Sequence, residues 1–158
     1  GGSLDSSQSL SMEARVRILQ IEGSTGAFFQ VLDGTSRYRF AFTETGVELL
    51  SNGGFHQIDL DTSVFHTYRL DSGGGTSAFD FYVDNVLTYS GNAFPAGGLN
   101  GFNFGDGITE SGAGADADWD FVRLSQPAAE ASIPEPGMVI IMGFGLAYLG
   151  LTRRKRGT

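Results

Sequence analysis

Asp106, Glu110, Asp116, Asp118 and Asp120 place five carboxylates within 15 positions of a glycine-rich stretch, a concentration of hard oxygen donors. Calcium takes about six to eight oxygens, so the stretch is a candidate metal site with Asp106, Asp116, Asp118 and Asp120 as ligands. It is not an EF-hand: a loop starting at Asp116 has Phe121 where that turn needs glycine, and no closing glutamate. Asp118 and Asp120, two apart on a strand, would share a face about 7 Å apart, near the separation used by an inverting carboxylate pair. Solvated or structural carboxylates are the stronger reading of that pair, and a solvated acidic loop is the stronger reading of the stretch.

Other chemistry is thinner. His56 and His66 have no third ligand and no nucleophile pattern beside them, and both read as structural. The chain holds no G-x-S-x-G elbow, no H-E-x-x-H helix and no P-loop. Trp119, Tyr38, Tyr82 and Tyr89 are flat rings of the kind sugars stack on, although most rings in a β-rich chain are spent on core and cross-strand packing. There is no cysteine, hence no disulfide framework and no thiolate metal site.

The elements that must position these residues are strands. Met12, Ala14, Val16 and Ile18 alternate with Glu13, Arg15 and Arg17, the period of a half-buried strand. Glycines 23 and 26 bracket a turn, and Ala27–Leu32 follows up to Asp33-Gly34. Tyr38, Phe40 and Phe42 line one face of the next strand, with Arg37, Arg39 and Ala41 on the other, until Gly46 breaks it. Short strands are expected at Val47–Leu50, Phe55–Leu60 and Phe65–Leu70. A hairpin of Phe79, Phe81 and Val83 turns at Asp84-Asn85, residue types that accept positive φ, and returns through Val86–Tyr89. Leu99–Phe104 and Trp119–Leu124 complete the set, separated by a loop from Gly105 to Asp118. About nine short strands with turn signals between them predict an all-β fold, an antiparallel two-sheet sandwich or jelly roll, with Phe40, Phe42, Phe81, Val83 and Phe121 inward.

Beyond a linker at 126–132 (QPAAEAS) the pattern changes. Pro134-Glu135-Pro136 precedes an uncharged apolar run from Gly137 to Thr152, which contains Met138, Val139, Ile140, Ile141, Met142, Phe144, Leu146, Tyr148, Leu149 and Leu151. Arg153, Arg154, Lys155 and Arg156 follow. The prolines keep their peptide extended and out of a helix. As a helix, 137–152 would be about 24 Å long, short for a bilayer core of about 30 Å but within what thinning and snorkelling absorb. The cationic cluster predicts a cytoplasmic stop, with the preceding residues on the other side of the membrane. Four of the ten cations lie in that cluster, so all 18 acids face only six cations and the rest of the chain stands near −12. A surface that acidic excludes nucleic acid as a partner.

In its order of tripeptide, apolar segment and arginine-rich stop, the tail resembles the PEP-CTERM sorting signal of exported bacterial proteins. The resemblance implies recognition of Pro134, Glu135 and Pro136 by an exosortase-type membrane enzyme. It also implies a single-pass precursor in the cell envelope, a signal peptide upstream of Gly1, and a mature form at the surface or outside the cell.

The strings Glu13-Ala-Arg-Val-Arg17, Phe65-His-Thr-Tyr-Arg-Leu70, Phe81-Tyr-Val-Asp-Asn85 and Asp118-Trp-Asp-Phe-Val-Arg-Leu124 resemble those of concanavalin A-like, laminin-G-like sandwich domains. That resemblance implies one sandwich over 1–125, with further strands ahead of it and therefore an exposed edge near Leu10–Leu19. Glucanases of that fold carry E-x-D-x-x-E on one strand, which this chain lacks. The expected function is a non-catalytic ectodomain of a surface or extracellular-matrix protein. A carbohydrate-binding module, calcium-dependent or not, is the alternative, and a glycoside hydrolase is a further one.

Overall fold

The computed structural model describes residues 3–22, 26–105 and 114–127. The linker beyond 127, the tripeptide Pro134–Pro136, the apolar run at 137–152, the Arg153–Arg156 stop, and Asp106 and Glu110 of the acidic stretch lie outside the described residues. Among the described residues no helix is long and apolar enough to cross a membrane.

Eleven strands follow one another among the described residues: β1 (Leu10–Glu22), β2 (Phe28–Asp33), β3 (Ser36–Thr43), β4 (Gly46–Ser51), β5 (Gly54–Asp59), β6 (His66–Ser72), β7 (Ala78–Val83), β8 (Val86–Asn92), β9 (Phe94–Pro95), β10 (Asn100–Gly105) and β11 (Gly114–Ser125). They form two antiparallel sheets. One has five strands in the order β11-β1-β6-β7-β8, and the other runs β10-β2-β3-β4-β5 with β9 added beside β3.

Alternation decides what is buried. Met12, Ala14 and Val16 of β1, Tyr38, Phe40 and Phe42 of β3, Val47 and Leu49 of β4, and Tyr68, Leu70 and Phe81 from β6 and β7 are all at most 1% exposed. Phe40 sits at the centre, its ring 5.4 Å from Phe81, 5.6 Å from Phe29 and 5.9 Å from Phe42 and Tyr68. Val83 packs against this cluster.

The turns follow their residue types. Asp33 Oδ1 accepts the N–H groups of Thr35 and Ser36 at 2.9 and 2.7 Å, closing β2 onto β3. Asp84 and Asn85 take φ of 50° and 65°, the two-residue hairpin geometry expected for them. Gly46 has φ of 156°, and a Cβ there would lie 2.0 Å from the Ile58 carbonyl oxygen, so only glycine fits between β4 and β5.

Three expectations are corrected. Phe121 does not point inward. In β11, Trp119 stands opposite Val16 and Phe121 opposite Arg15, so Asp120 is an extra residue at a bulge. Ala115, Ala117 and Trp119 pack inward before it, and Val122 and Leu124 after it. Phe121 falls on the outer face, covered by the Arg123 guanidinium 4.1 Å from its ring centre. The edge expected near Leu10–Leu19 is not exposed, because β1 pairs with β11 on one side and β6 on the other. The edge strands are β11 and β8 in one sheet and β10 and β5 in the other. The loop expected up to Asp118 gives way to strand from Gly114, paired with Glu22.

Candidate functional site

The outer faces of the two sheets differ in how their charges are settled. On the five-stranded sheet, Arg15 pairs with Asp120, Arg17 with Asp118 through two nitrogens at 2.6 and 2.8 Å, Arg69 with Asp71 at 3.0 Å and Arg123 with Glu13 at 3.3 Å. Arg15 and Arg17 also lie over the Phe65 ring, and Arg69 lies over Tyr82. Two of the three candidate calcium ligands that the structure describes are therefore held by arginines. Asp118 and Asp120 are engaged this way, while Asp116 is exposed farther along the same strand, paired in register with Gln20. Among the described residues no three His, Asp or Glu side chains converge as a metal site. As a catalytic pair, Asp118 and Asp120 are equally engaged.

The six-stranded sheet presents a different surface. Because Tyr38, Phe40 and Phe42 take the inner face of β3, Arg37, Arg39, Ala41 and Thr43 take the outer one. Register then aligns neighbours from other strands into rows. One row runs Asn103, Gln30, Arg39, Leu50, Phe55 across β10, β2, β3, β4 and β5. A second runs Gly105, Phe28, Ala41, Glu48, Gln57, and a third runs Gly101, Leu32, Arg37, Phe94, ending on β9. At roughly 4.8 Å between strands, a five-residue row is about 19 Å long.

Hydrogen bonds already order part of this face. Gln30 Nε2 donates to Asn103 Oδ1 at 3.1 Å, and Gln57 Nε2 donates to the hydroxyls of Thr43 and Thr45 at 3.0 and 3.2 Å. Phe28, Ala41 and Leu32 point outward yet are nearly buried, and the Arg39 guanidinium covers Phe28 at 4.9 Å from its ring centre. Phe55 and Phe94 are the open rings of the face, 66% and 41% exposed.

Arg37 and Arg39 are the exceptions in the charge pattern. Of the six arginines among the described residues, these two have no carboxylate within salt-bridge distance, and the buried Nε of each has no hydrogen-bond partner. Burial first, and then the like charge of Arg37, push the Arg39 guanidinium below the usual arginine range, while Glu48 opposes the shift. A half-buried cation with an unused donor is a poor structural element and a good ligand-binding one.

The rings expected as sugar platforms are otherwise engaged. Tyr38 is in the core, Tyr82 lies under Arg69, Tyr89 stacks on His56 at 4.2 Å, and Trp119 packs against Phe42 and Phe104. His66 ties β6 to neighbouring loops, its Nδ1 at 2.6 Å from Asp84 Oδ2 and its Nε2 at 3.0 Å from the Asp61 carbonyl. Gln30, Glu48, Phe55, Gln57 and Asn103 were missed in the sequence because they come from four strands whose register no local pattern shows. The sequence places Arg37 and Arg39 on an outward face, but their lack of acidic partners among the described residues emerges only once the strands are paired.

No protein-family model matches the chain, and no curated protein sequence matches it. Solved structures do. An alginate lyase from Corynebacterium sp. superposes with a TM-score of 0.56 at 12% identity over 79% of this chain and 62% of its own. A marine alginate lyase from Zobellia galactanivorans gives 0.52 at 13% identity over 79% of this chain and 65% of its own. This chain thus matches less than two thirds of either lyase. Sheep galectin-11 gives 0.47 at 9% identity, over 78% of this chain and 95% of its own. At such identities the likeness is one of architecture: the chain has the jelly-roll-like, two-sheet antiparallel sandwich that the lyases share.

Proposed function

We propose that this chain is an exported surface or extracellular-matrix protein whose sandwich domain binds carbohydrate, without turnover, on the outer face of its six-stranded sheet. The observation that carries the reading is the set of rows on that face, which align Gln30, Asn103, Gln57, Arg37, Arg39 and Glu48 across five strands with the exposed ring of Phe55 at one end. Sugars offer hydroxyls that both donate and accept, and an apolar ring face; amides, guanidinium groups and an aromatic edge answer both. The alginate lyases named above point to the same ligand class. Catalysis is not part of the proposal: Glu48 is the one carboxylate of the three rows, and His56 is turned to the seam against Tyr89.

The address rests on the tail. The Pro134-Glu135-Pro136 tripeptide, the apolar run and the Arg153–Arg156 cluster support sorting by an exosortase-type enzyme, with the domain outside the cytoplasm.

Native affinity electrophoresis of the full chain through gels holding neutral and acidic polysaccharides tests the binding reading. Retardation by at least one polymer, reduced by Phe55→Ala and Gln57→Ala, is expected, and an unretarded chain in every gel sinks it. Release of reducing ends or of unsaturated products from the same polymers would move the protein to the enzymes. Mass spectrometry of the mature C-terminus in an exosortase-bearing host tests the address. Intact Arg153–Thr158 on most mature molecules is the adverse result.

A further inference from the structure

We infer that the sugar held by the six-stranded sheet is carboxylated, a uronate polymer, and that Arg37 and Arg39 hold its carboxylates; the inference rests on the carbohydrate reading above. Every other described arginine is neutralised by an acid on the opposite face of the sandwich. These two stand on one strand, two residues and about 7 Å apart, both facing out, with like charge and, among the described residues, no carboxylate within ion-pair distance. Each keeps a buried Nε–H without an acceptor among the described residues. Arg39 bears the cost in its lowered proton affinity: burial sets it, Glu48 offsets it in part, and Arg37 adds to it.

A carboxylate answers all of these conditions at once. It is acceptor-only, it takes a guanidinium through paired N–H···O bonds, and its charge relieves the repulsion between the arginines. Glu48 does not fill this role: it stands opposite Ala41, a row away from Arg39, and is not within ion-pair distance. Gln30 bonds Asn103 and Gln57 bonds Thr43 and Thr45, which leaves Gln30 Oε1, Asn103 Nδ2 and Gln57 Oε1 for ring hydroxyls, and Phe55 for a sugar face. The chain's net charge of −8 sharpens the point, because a protein so acidic is repelled by a polyanion at long range. Retention by such a polymer would then come from a local site, not from bulk ion exchange.

Affinity electrophoresis of the full chain in gels of polygalacturonate, of the same polymer with its carboxyls reduced to alcohols, and of dextran sulfate reads the inference. Binding to polygalacturonate is expected to be roughly tenfold or more tighter than to the reduced polymer, and dextran sulfate should not substitute for it. Arg37→Gln and Arg39→Gln should each weaken binding by about tenfold or more, and Arg123→Gln, an equal change of charge on the other sheet, should leave it unchanged. Should the first two variants fail to fold, the comparison of native with reduced polymer, made on the unaltered chain, still decides. Equal binding to native and reduced polymer, or full binding in folded Arg37→Gln and Arg39→Gln, overturns the uronate assignment and leaves the carbohydrate reading standing. No retardation by these or any neutral polymer overturns both.

Discussion

His66 Nδ1 lies 2.6 Å from Asp84 Oδ2, which binds the start of β6 to the turn between β7 and β8. The other carboxylate oxygen of Asp84 accepts the Thr67 N–H at 2.9 Å, and His66 Nε2 reaches the Asp61 carbonyl. Both ring nitrogens face oxygens, one of the Asp84 carboxylate and one of the Asp61 carbonyl.

The Asp84 carboxyl responds to this setting. Burial works to raise it, but the hydrogen bonds from His66 and the Thr67 N–H, with the charges of His66 and Arg15, outweigh burial and hold it below the usual carboxylate range. A carboxylate depressed on folding adds stability that is present above its unfolded value, near 3.9, and is lost as pH falls through the folded value. The melting temperature of Asp84→Asn should therefore lie below that of the parent at neutral pH. The gap should close in acid, below the ordinary carboxylate range. A gap that persists unchanged at pH 2 would count against the pairing.

Phe81 and Phe121 should behave differently although both are large rings in strands. Phe81 is 0% exposed and packs on Phe40 and Tyr68, so Phe81→Ala should cost about 3–5 kcal/mol in urea unfolding. Phe121 lies outside under Arg123, and Phe121→Ala should cost about 1 kcal/mol. Similar costs for the two would mean that the bulge at Asp120 is misplaced.

Tyr68 offers a test of the opposite sign. Its ring is fully buried, burial drives its hydroxyl above the ordinary tyrosine range, and the hydroxyl has no partner among the described residues. Tyr68→Phe keeps the packing and deletes an unpaired polar atom. Stability should be unchanged or higher by about 1 kcal/mol, and a loss of that size in a calorimetric melt would show that the hydroxyl is hydrogen-bonded.

Asp118 is held by Arg17 while both side chains remain substantially exposed, 45% and 40%, so the pair is a surface one. Asp118→Asn should lower stability by less than about 1 kcal/mol without calcium. Any shift in melting temperature produced by millimolar calcium should be the same in the variant and the parent. A calcium response abolished by this substitution would restore Asp118 as a ligand.

Strand identity was legible in the sequence wherever one face is buried. Met12 to Ile18 and Tyr38 to Phe42 announce both the strand and its inward side, because a period of two with charges between has no other good reading. The closing strand defeats the same rule. Ala115, Ala117 and Trp119 carry one phase and Val122 and Leu124 the other, so extending the first phase by two lands on Phe121 instead of reaching across the bulge. The candidate site was less legible still. Each of its strands shows an outer face that mixes polar and apolar residues, and only the pairing of β10, β2, β3, β4 and β5 brings Asn103, Gln30, Arg39 and Phe55 into line.

The place of β1 also sets the order in which the domain forms. Its partners are β6 and the last strand β11, and Ser125 Oγ reaches the Ser11 carbonyl across 114 residues of chain. The β7–β8 and β4–β5 hairpins can form from local chain, but the five-stranded sheet cannot close until Ser125 is available. Contacts of such long sequence separation charge loop-closure entropy before they return any stability, which places refolding on the slow, millisecond-to-second side for small domains. During synthesis the five-stranded sheet is therefore completed only after β11 has been made, whereas the β4–β5 and β7–β8 hairpins can form before it.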